Sequence, residues 1–245
     1  KAQRNITRAL QSHDLTPVFF HGRGGSVSRG GAPTERAIAA QPDGTVRGRL
    51  RTTEQGEVVS SKFANRGTAQ HQLELLASSV LARSLHRDAA SIRPEFNDAL
   101  EALSGMSQTA YTTLLHQPGF VEYFQQASPV EELAMLKMGS RPARRFGAKS
   151  LDDLRAIPWV FAWTQNRHLI TGWYGFGAAV ASFRKFRKAD GDALLKEMFD
   201  QSRLFRLMVD EVEKSLFLAD MDTARKYAGL VENEAIRDTI FEMIE

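Results

Sequence analysis

One stretch organises the sequence: Phe19-Phe20-His21-Gly22-Arg23-Gly24-Gly25-Ser26-Val27-Ser28-Arg29-Gly30-Gly31-Ala32-Pro33. It contains five glycines, two arginines and one histidine within eleven positions. The apolar run before it is typical of a β-strand, and Pro33-Thr34-Glu35 is typical of a helix start. Glycines let backbone N–H groups approach a ligand closely, and arginine forks suit carboxylate or phosphate. The stretch therefore predicts an anion site between a strand and a helix.

The loop matches neither of two common phosphate-binding motifs. The spacing from Gly25 to Gly30 fits a P-loop, but Gly31 and Ala32 stand where that motif has Lys and Ser or Thr. The third glycine of a dinucleotide fingerprint is also missing from its place. A surface turn rich in Gly, Ser and Arg is the alternative interpretation of the loop. For His21 the alternative is a packed histidine with a satisfied ring nitrogen.

Composition limits the class of protein. The 245 residues permit one large domain or two small ones, and 42% apolar with 25% charged residues is ordinary for a globular protein. The net charge of +3 is too small to indicate nucleic-acid binding by itself. The absence of cysteine excludes disulfides and thiolate sites and is compatible with a reducing cytoplasm. No apolar run is long enough to span a membrane, so we expect no membrane partner and a cytoplasmic location.

The patterns predict a mainly α fold with a few strands. Strands are expected at Leu15–Phe20, which should be buried, and at Thr45–Thr53, whereas 58–63 fits either strand or helix. The pattern is helical almost throughout from Thr68 onward. We predict one domain or part of one, with strands and glycine loop in 1–67 and helices in 68–245. Helices are expected at 2–12, from the glycine loop to about 41, and at 94–116, 119–127, 178–187, 192–199, 202–219 and 232–244.

A second basic segment covers residues 139–155. It contains Arg141, Arg144, Arg145, Lys149 and Arg155. The residue before a proline avoids the α region, so Arg141 before Pro142 is expected to be extended, which suits a side chain directed into a cleft. From spacing alone, a solvated basic loop is the favoured interpretation of this segment.

Other candidate groups have structural explanations. The remaining histidines show no metal-ligand spacing, and there is no HExxH motif. Lys214 falls at the margin of the helix face that we expect to be buried, where it can extend to solvent or pair with Asp210. That face consists of Leu204, Leu207, Met208, Val212 and Leu216. A set of aromatic residues is expected in the core rather than as a nucleic-acid platform, namely Trp159, Phe161, Trp163, Trp173, Tyr174 and Phe176.

Four blocks in order resemble phosphoenolpyruvate carboxylase. They are Phe20-His21-Gly22-Arg23-Gly24-Gly25 with Arg29-Gly30-Gly31-x-Pro33; Ala39-Ala40-Gln41-Pro42 with Gly48-x-Leu50-Arg51-x-Thr53-x-Gln55-Gly56-Glu57-Val58; Gly139-Ser140-Arg141-Pro142-Ala143-x-Arg145; and Leu154-Arg155-Ala156-Ile157-Pro158-Trp159 through Arg167. The glycine-aromatic stretch 172–177 fits the same region. Residues 68–135 and 178–245 match mainly in helical character. Ser28 departs from the glycine that is usual in the family's loop.

The resemblance implies a lyase reaction, the carboxylation of phosphoenolpyruvate by bicarbonate to oxaloacetate and phosphate with Mg²⁺ or Mn²⁺. This reaction fixes carbon dioxide and supplies the tricarboxylic acid cycle. In the family, bicarbonate attacks the phosphoryl group to give carboxyphosphate and an enolate. Carboxyphosphate then releases the CO₂ that the enolate takes up. The implied fold is part of an (α/β) barrel embedded in many helices, and the implied assembly of the full protein is a homotetramer.

The resemblance also implies roles for individual residues. Arg23, Arg141 and Arg155, with Gly24 and Gly25, would hold substrate phosphate or bicarbonate. His21 would assist carboxylation, and Arg29 would stabilise the enolate and carboxyphosphate. Lys214 would bind the inhibitor aspartate, or malate, at an allosteric site that shares Arg29.

The family's catalytic Thr-Ala-His-Pro-Thr motif and its metal-binding Glu and Asp would lie upstream of Lys1. We therefore expect a fragment of the C-terminal half, or a shortened homologue, that has no metal ligands of its own and is inactive alone. The alternative function is a non-catalytic homologue that uses the anion pocket to sense a metabolite or bind a partner. Nucleic-acid binding through the arginines is a weaker third interpretation.

Overall fold

The computed structural model describes residues 2–22, 32–54, 56–86, 93–135 and 156–245, with the backbone alone at positions 56, 57, 134, 156 and 157. The glycine loop from Arg23 to Gly31 and the basic segment 139–155 lie outside the described residues. The described chain is mainly helical with two short strands, which confirms the predicted mainly α class. No helix in the described ranges is both long and apolar enough to cross a membrane.

Most of the predicted helices are present with small shifts at their ends. The segment 58–63, which fitted strand or helix, lies mostly in a helix, and Met221–Ala228 is a helix that the sequence patterns missed. In chain order the elements are α1 (Ala2–Gln11), β1 (Phe20–Gly22), α2 (Thr34–Ala39), β2 (Arg51–Thr53), α3 (Gly56–Lys62), α4 (Arg66–Leu85), α5 (Pro94–Leu115), α6 (Phe120–Gln126), α7 (Val130–Met135), α8 (Ala156–Gln165), α9 (Ile170–Trp173), α10 (Phe176–Arg187), α11 (Ala189–Gln201), α12 (Arg203–Leu218), α13 (Met221–Ala228) and α14 (Glu234–Ile244).

The two strands pair in parallel, with Phe20 opposite Arg51 and His21 opposite Thr52. Both strands are shorter than predicted, and the expectation of a buried strand from Leu15 is wrong. Leu15 is 56% exposed and Phe20 is 62% exposed. Within the described residues β1 has β2 alone as a neighbour, and the Phe20 ring lies under the Arg51 guanidinium, 5.2 Å from ring centroid to carbon. The barrel remains a prediction.

One compact unit consists of Lys1–Ala102 with Arg184–Glu211. Here α2 packs against α4 and buries Ile38. The side chains of Leu73 and Leu81, which share helical spacing with Leu76 and Val80, are 55% and 59% exposed. The buried face of α4 instead ends in the charged residue Arg83.

The other compact unit consists of Leu103–Phe183 with Val212–Glu245. Its core is aromatic. The ring centroids of Phe124 and Trp163 lie 5.0 Å apart, and those of Phe124 and Trp159 lie 4.7 Å apart. Aliphatic side chains of α14, among them Ile240 and Ile244, complete the same cluster. The prediction that this aromatic set belongs to the core is confirmed for five of its six residues: Trp163 is fully buried, and Trp159, Phe161, Trp173 and Tyr174 pack against the cluster. The sixth, Phe176, is half-buried and lies outside the cluster.

Candidate anion site and its supports

The end of β1 carries the first predicted site residue. His21 is half-buried, and Gly22 ends the strand directly before Arg23. Because β1 and β2 are parallel, His21 and Thr52 lie side by side near the carboxyl ends of both strands. Ligand sites of α/β folds lie beyond the carboxyl ends of parallel strands. The described strand pair therefore has the polarity that an anion site after Gly22 requires.

A buried arginine on α4 holds the connection between α2 and β2. The Arg83 side chain is 2% exposed and pairs with the Asp43 carboxylate. Its Nε and Nη2 donate to the Gln41 carbonyl at 2.9 and 2.6 Å, and its Nη1 donates to the His86 carbonyl at 3.2 Å. A buried charge is tolerated when it is paired and its hydrogen bonds are satisfied. The guanidinium meets these conditions.

Most of the predicted anion ligands lie outside the described residues. These are Arg23, Gly24, Gly25, Arg29, Arg141 and Arg155. The structure describes their chain neighbours: β1 ends at Gly22, and α8 begins at Ala156, directly after Arg155. Whether these residues form one site stays a prediction.

The carboxyl end of α8 is fixed in the aromatic core. The Asn166 side chain donates to the Ala127 carbonyl at 2.9 Å, and the Trp173 indole donates to the His168 carbonyl at 2.8 Å. Tyr123 Oη lies 3.1 Å from Nε2 of His168, which is fully buried. Burial lowers the pKa of His168 to about 4, so the ring is neutral at pH 7, and burial raises the pKa of Tyr123.

Lys214 is half-buried on α12, but the helix face predicted beside it is wrong. Leu204, Met208 and Leu216 are 40%, 37% and 50% exposed, and Asp210 pairs with Arg36. In the unit that contains Lys214, the buried contact of α12 is Ser215, which lies against Gly172 of α9. A small residue on α9, rather than an apolar stripe on α12, therefore governs this contact.

Two clefts among the described residues are lined by none of the predicted site residues. One, of about 470 Å³, is lined by Arg225, Arg237, Phe241 and neighbouring residues, and both arginines are engaged with carboxylates, Glu245 at 2.7 Å and Asp238 at 2.7 Å. The other, of about 460 Å³, is an apolar groove along α4 beside Leu73. Across the described ranges, no group of three or more His, Asp and Glu side chains is arranged to hold a metal ion.

Sequence patterns missed Arg83, although a signal for it exists. Arg83 stands seven residues after Leu76 and three after Val80, so it continues the helical spacing of the half-buried residues on α4. A charged residue at such a position indicates a buried partner, here the turn at 41–43. The turn itself, Gln41-Pro42-Asp43-Gly44, was recognisable from its residues.

Comparison with known proteins identifies the family. The sequence model of the phosphoenolpyruvate carboxylase family matches residues 1–245. Proteins named phosphoenolpyruvate carboxylase from Methylorubrum extorquens, Azorhizobium caulinodans and Azoarcus sp. are 60%, 43% and 42% identical, with all of this chain aligned to 27%, 26% and 27% of theirs. The chain thus spans about a quarter of the length of these curated relatives. The chain belongs to the phosphoenolpyruvate carboxylase family.

Proposed function

We propose that the complete protein carrying this chain carboxylates phosphoenolpyruvate with bicarbonate, and that this chain supplies substrate-binding groups. The observation that carries the proposal is the family match over the whole chain, with 60% identity to a protein of that name. The parallel strands β1 and β2, with His21 directly before the glycine loop, support it. On this proposal the strands are late strands of an (α/β) barrel.

The proposed chemistry moves negative charge through several anions. A bicarbonate oxygen attacks the phosphorus atom, the bond from phosphorus to the enol oxygen breaks, and carboxyphosphate and an enolate form. Carboxyphosphate then splits into phosphate and CO₂, and the enolate carbon bonds to the CO₂ carbon. Arg23, Arg141 and Arg155, with the N–H groups of Gly24 and Gly25, would hold the anions through charge-assisted hydrogen bonds.

The remaining groups act on the intermediates and on regulation. His21 would assist the carboxylation step, and Arg29 would stabilise the enolate and carboxyphosphate. A bound Mg²⁺ or Mn²⁺ would neutralise part of the developing charge. We place its ligands outside residues 1–245. Lys214, with Arg29, would bind aspartate or malate as inhibitor, and the complete protein would be a homotetramer.

The test is oxaloacetate formation by the complete protein, coupled to malate dehydrogenase. We expect bicarbonate-dependent turnover, and we expect Arg23→Met, Arg141→Met and Arg155→Met each to lower kcat/KM for phosphoenolpyruvate by about 100-fold or more, since each removes a charged hydrogen-bond donor. The matched control is Arg184→Met, because Arg184 is 57% exposed and pairs with Asp192. The same assay with added aspartate tests Lys214→Met, which should remain active and need more aspartate for inhibition.

The outcomes separate the two candidate functions. No turnover by the complete protein with Mg²⁺ or Mn²⁺ present would contradict the carboxylase proposal. Binding of phosphoenolpyruvate without turnover would favour the alternative, a non-catalytic homologue that uses the anion pocket as a sensor. Equal losses in Arg184→Met and the three site variants would show that the effect is not specific to the proposed ligands.

A further inference from the structure

Arg83 joins α4 to the turn that follows α2. Its guanidinium donates to the Gln41 carbonyl through two nitrogens and pairs with Asp43, so one buried group holds both ends of a three-residue stretch. The third nitrogen donates to the His86 carbonyl just beyond α4. The side chain is 2% exposed, whereas the Asp43 side chain is 18% exposed. Water therefore has little access to replace these bonds.

A second tether lies one residue further along α4. Ser84 Oγ accepts from the backbone N–H of Gly48 at 2.7 Å and donates to the Val80 carbonyl at 2.6 Å. Gly48 has φ of +70°, a left-handed conformation that glycine adopts without strain. The last turn of α4 thus holds residues 41–43 with one side chain and residue 48 with the next.

The segment held by Arg83 and Ser84, residues 41–48, connects α2 to β2, the strand that pairs with β1. The chain leaves β1 at Gly22, passes through the glycine loop and α2, and returns as β2 at Arg51. A crossover between parallel strands needs about a dozen residues or more, so the segment between α2 and β2 belongs to such a crossover. Holding residues 41–48 fixes where α2 ends and where β2 begins, and β2 pairs with the strand that carries His21.

We infer that Arg83, assisted by Ser84, is a positioning residue that sets the start of β2 against α4 and, through the pairing of β1 with β2, the place of His21. The inference rests on the proposed function, because it is the carboxylation step that would depend on this placement. Arginine suits the task because its planar fork reaches two carbonyls and a carboxylate at once, whereas a lysine ammonium presents a single charged centre. Arg83 touches no reacting atom on this proposal.

The product ratio is the readout that distinguishes positioning from stability. When His21 is displaced, the enolate takes a proton from solvent and becomes pyruvate, while CO₂ and phosphate are still released. Phosphate then exceeds oxaloacetate, whereas unfolding lowers both products equally. A displacement of about 1 Å can slow a step on the order of 100-fold. We therefore expect Arg83→Met to raise the ratio of phosphate to oxaloacetate at least about twofold.

The experiment compares four variants of the complete protein under saturating bicarbonate. Arg83→Met, Arg83→Lys and Ser84→Ala should raise the ratio, Arg83→Met the most, and the control Arg184→Met should leave it at the wild-type value. A wild-type ratio in folded Arg83→Met overturns the inference. If Arg83→Met does not fold, Arg83→Lys and Ser84→Ala decide by the same criterion. A wild-type protein that forms no oxaloacetate contradicts the proposed function instead, and the inference falls with it.

Discussion

At the scale of single residues, His168 shows how an ordinary histidine becomes part of a core. Its ring meets those of Tyr123, Trp163 and Phe241 nearly edge-on, with centroids 5.6 to 6.0 Å apart. Nε2 faces the Tyr123 hydroxyl, and the backbone carbonyl accepts from Trp173. Protonation would place a charge among these rings, which explains the direction of the pKa shift.

The shift predicts a loss of stability in mild acid. The folded protein binds a proton at His168 with pKa about 4, below the unfolded value of 6.5, so the unfolded state takes up more protons between these values. The stability that the neutral His168 ring contributes is therefore fully present above pH 6.5 and is lost as the pH falls toward 4. Between pH 7 and pH 5 His168 should cost about 2 kcal/mol of unfolding free energy.

Urea unfolding of wild type and His168→Gln at both pH values checks this prediction. Glutamine stays neutral over the range, so the variant should lose about 2 kcal/mol less than wild type when the pH is lowered from 7 to 5. Carboxylates titrate alike in both proteins and cancel in the comparison. The same pH dependence in both proteins would rule out His168 as the group responsible.

Which residues belong to the core or to the candidate site could be predicted from sequence where a local motif marks them. The prediction was poorer where long-range packing decides. The aromatic run before Thr164 indicated a core, as found. His168 and Arg83 were not recognised, because their burial depends on partners 45 and 42 positions away in sequence. No local pattern reports such a partner. The apolar face predicted for α12 is also partly exposed, because contacts with residues distant in sequence decide which side of this helix is buried.

At the scale of elements, a glycine sets the approach of α9 to α12. A Cβ atom added to Gly172 would lie 2.3 Å from Ser215 Oγ and 2.7 Å from Ser215 Cβ. Both distances are shorter than van der Waals contact, so the helices must separate to admit a methyl group. A similar constraint holds at Gly175, where φ is +86° and an added Cβ would meet the Ser107 carbonyl oxygen at 2.7 Å.

We predict that Gly172→Ala lowers the unfolding free energy by about 1–3 kcal/mol through overpacking. Ser215→Gly alone should cost about 1 kcal/mol, the helix penalty of glycine. The double variant should be more stable than the sum of the two losses, because Ser215→Gly removes both atoms that the new methyl group meets. A double-mutant cycle by chemical denaturation measures this coupling. Strict additivity would mean that the two positions do not touch.

The helices themselves were predicted better than the strands. Long periodic segments such as α5 carry a strong pattern. Helix α13 was missed, although its N-cap Asp220, whose side chain accepts from the Thr223 N–H at 2.7 Å, is a residue type typical of a helix start. The strand runs were predicted too long and too buried. Apolar residues there predict a strand interior, but pairing with neighbours decides how many residues join the ladder.

At the scale of the whole molecule, the described residues of the unit Leu103–Phe183 with Val212–Glu245 share one aromatic cluster. Helices α6, α7, α8, α13 and α14 all contribute buried side chains to it. Phe124 is fully buried, and its ring packs against the rings of both Trp159 and Trp163. Elements that share one core tend to open together rather than one by one.

The unit formed by Leu103–Phe183 and Val212–Glu245 should therefore behave as one cooperative body, and Phe124→Ala tests it. Removing this ring should lower stability by about 3–5 kcal/mol. In hydrogen exchange of the complete protein, amides of α6, α8 and α14 should lose protection together and by similar free energies. Leu81→Ala is the control, because Leu81 is 59% exposed and its loss should change protection little. If the loss were confined to α6, the shared core would not couple these helices.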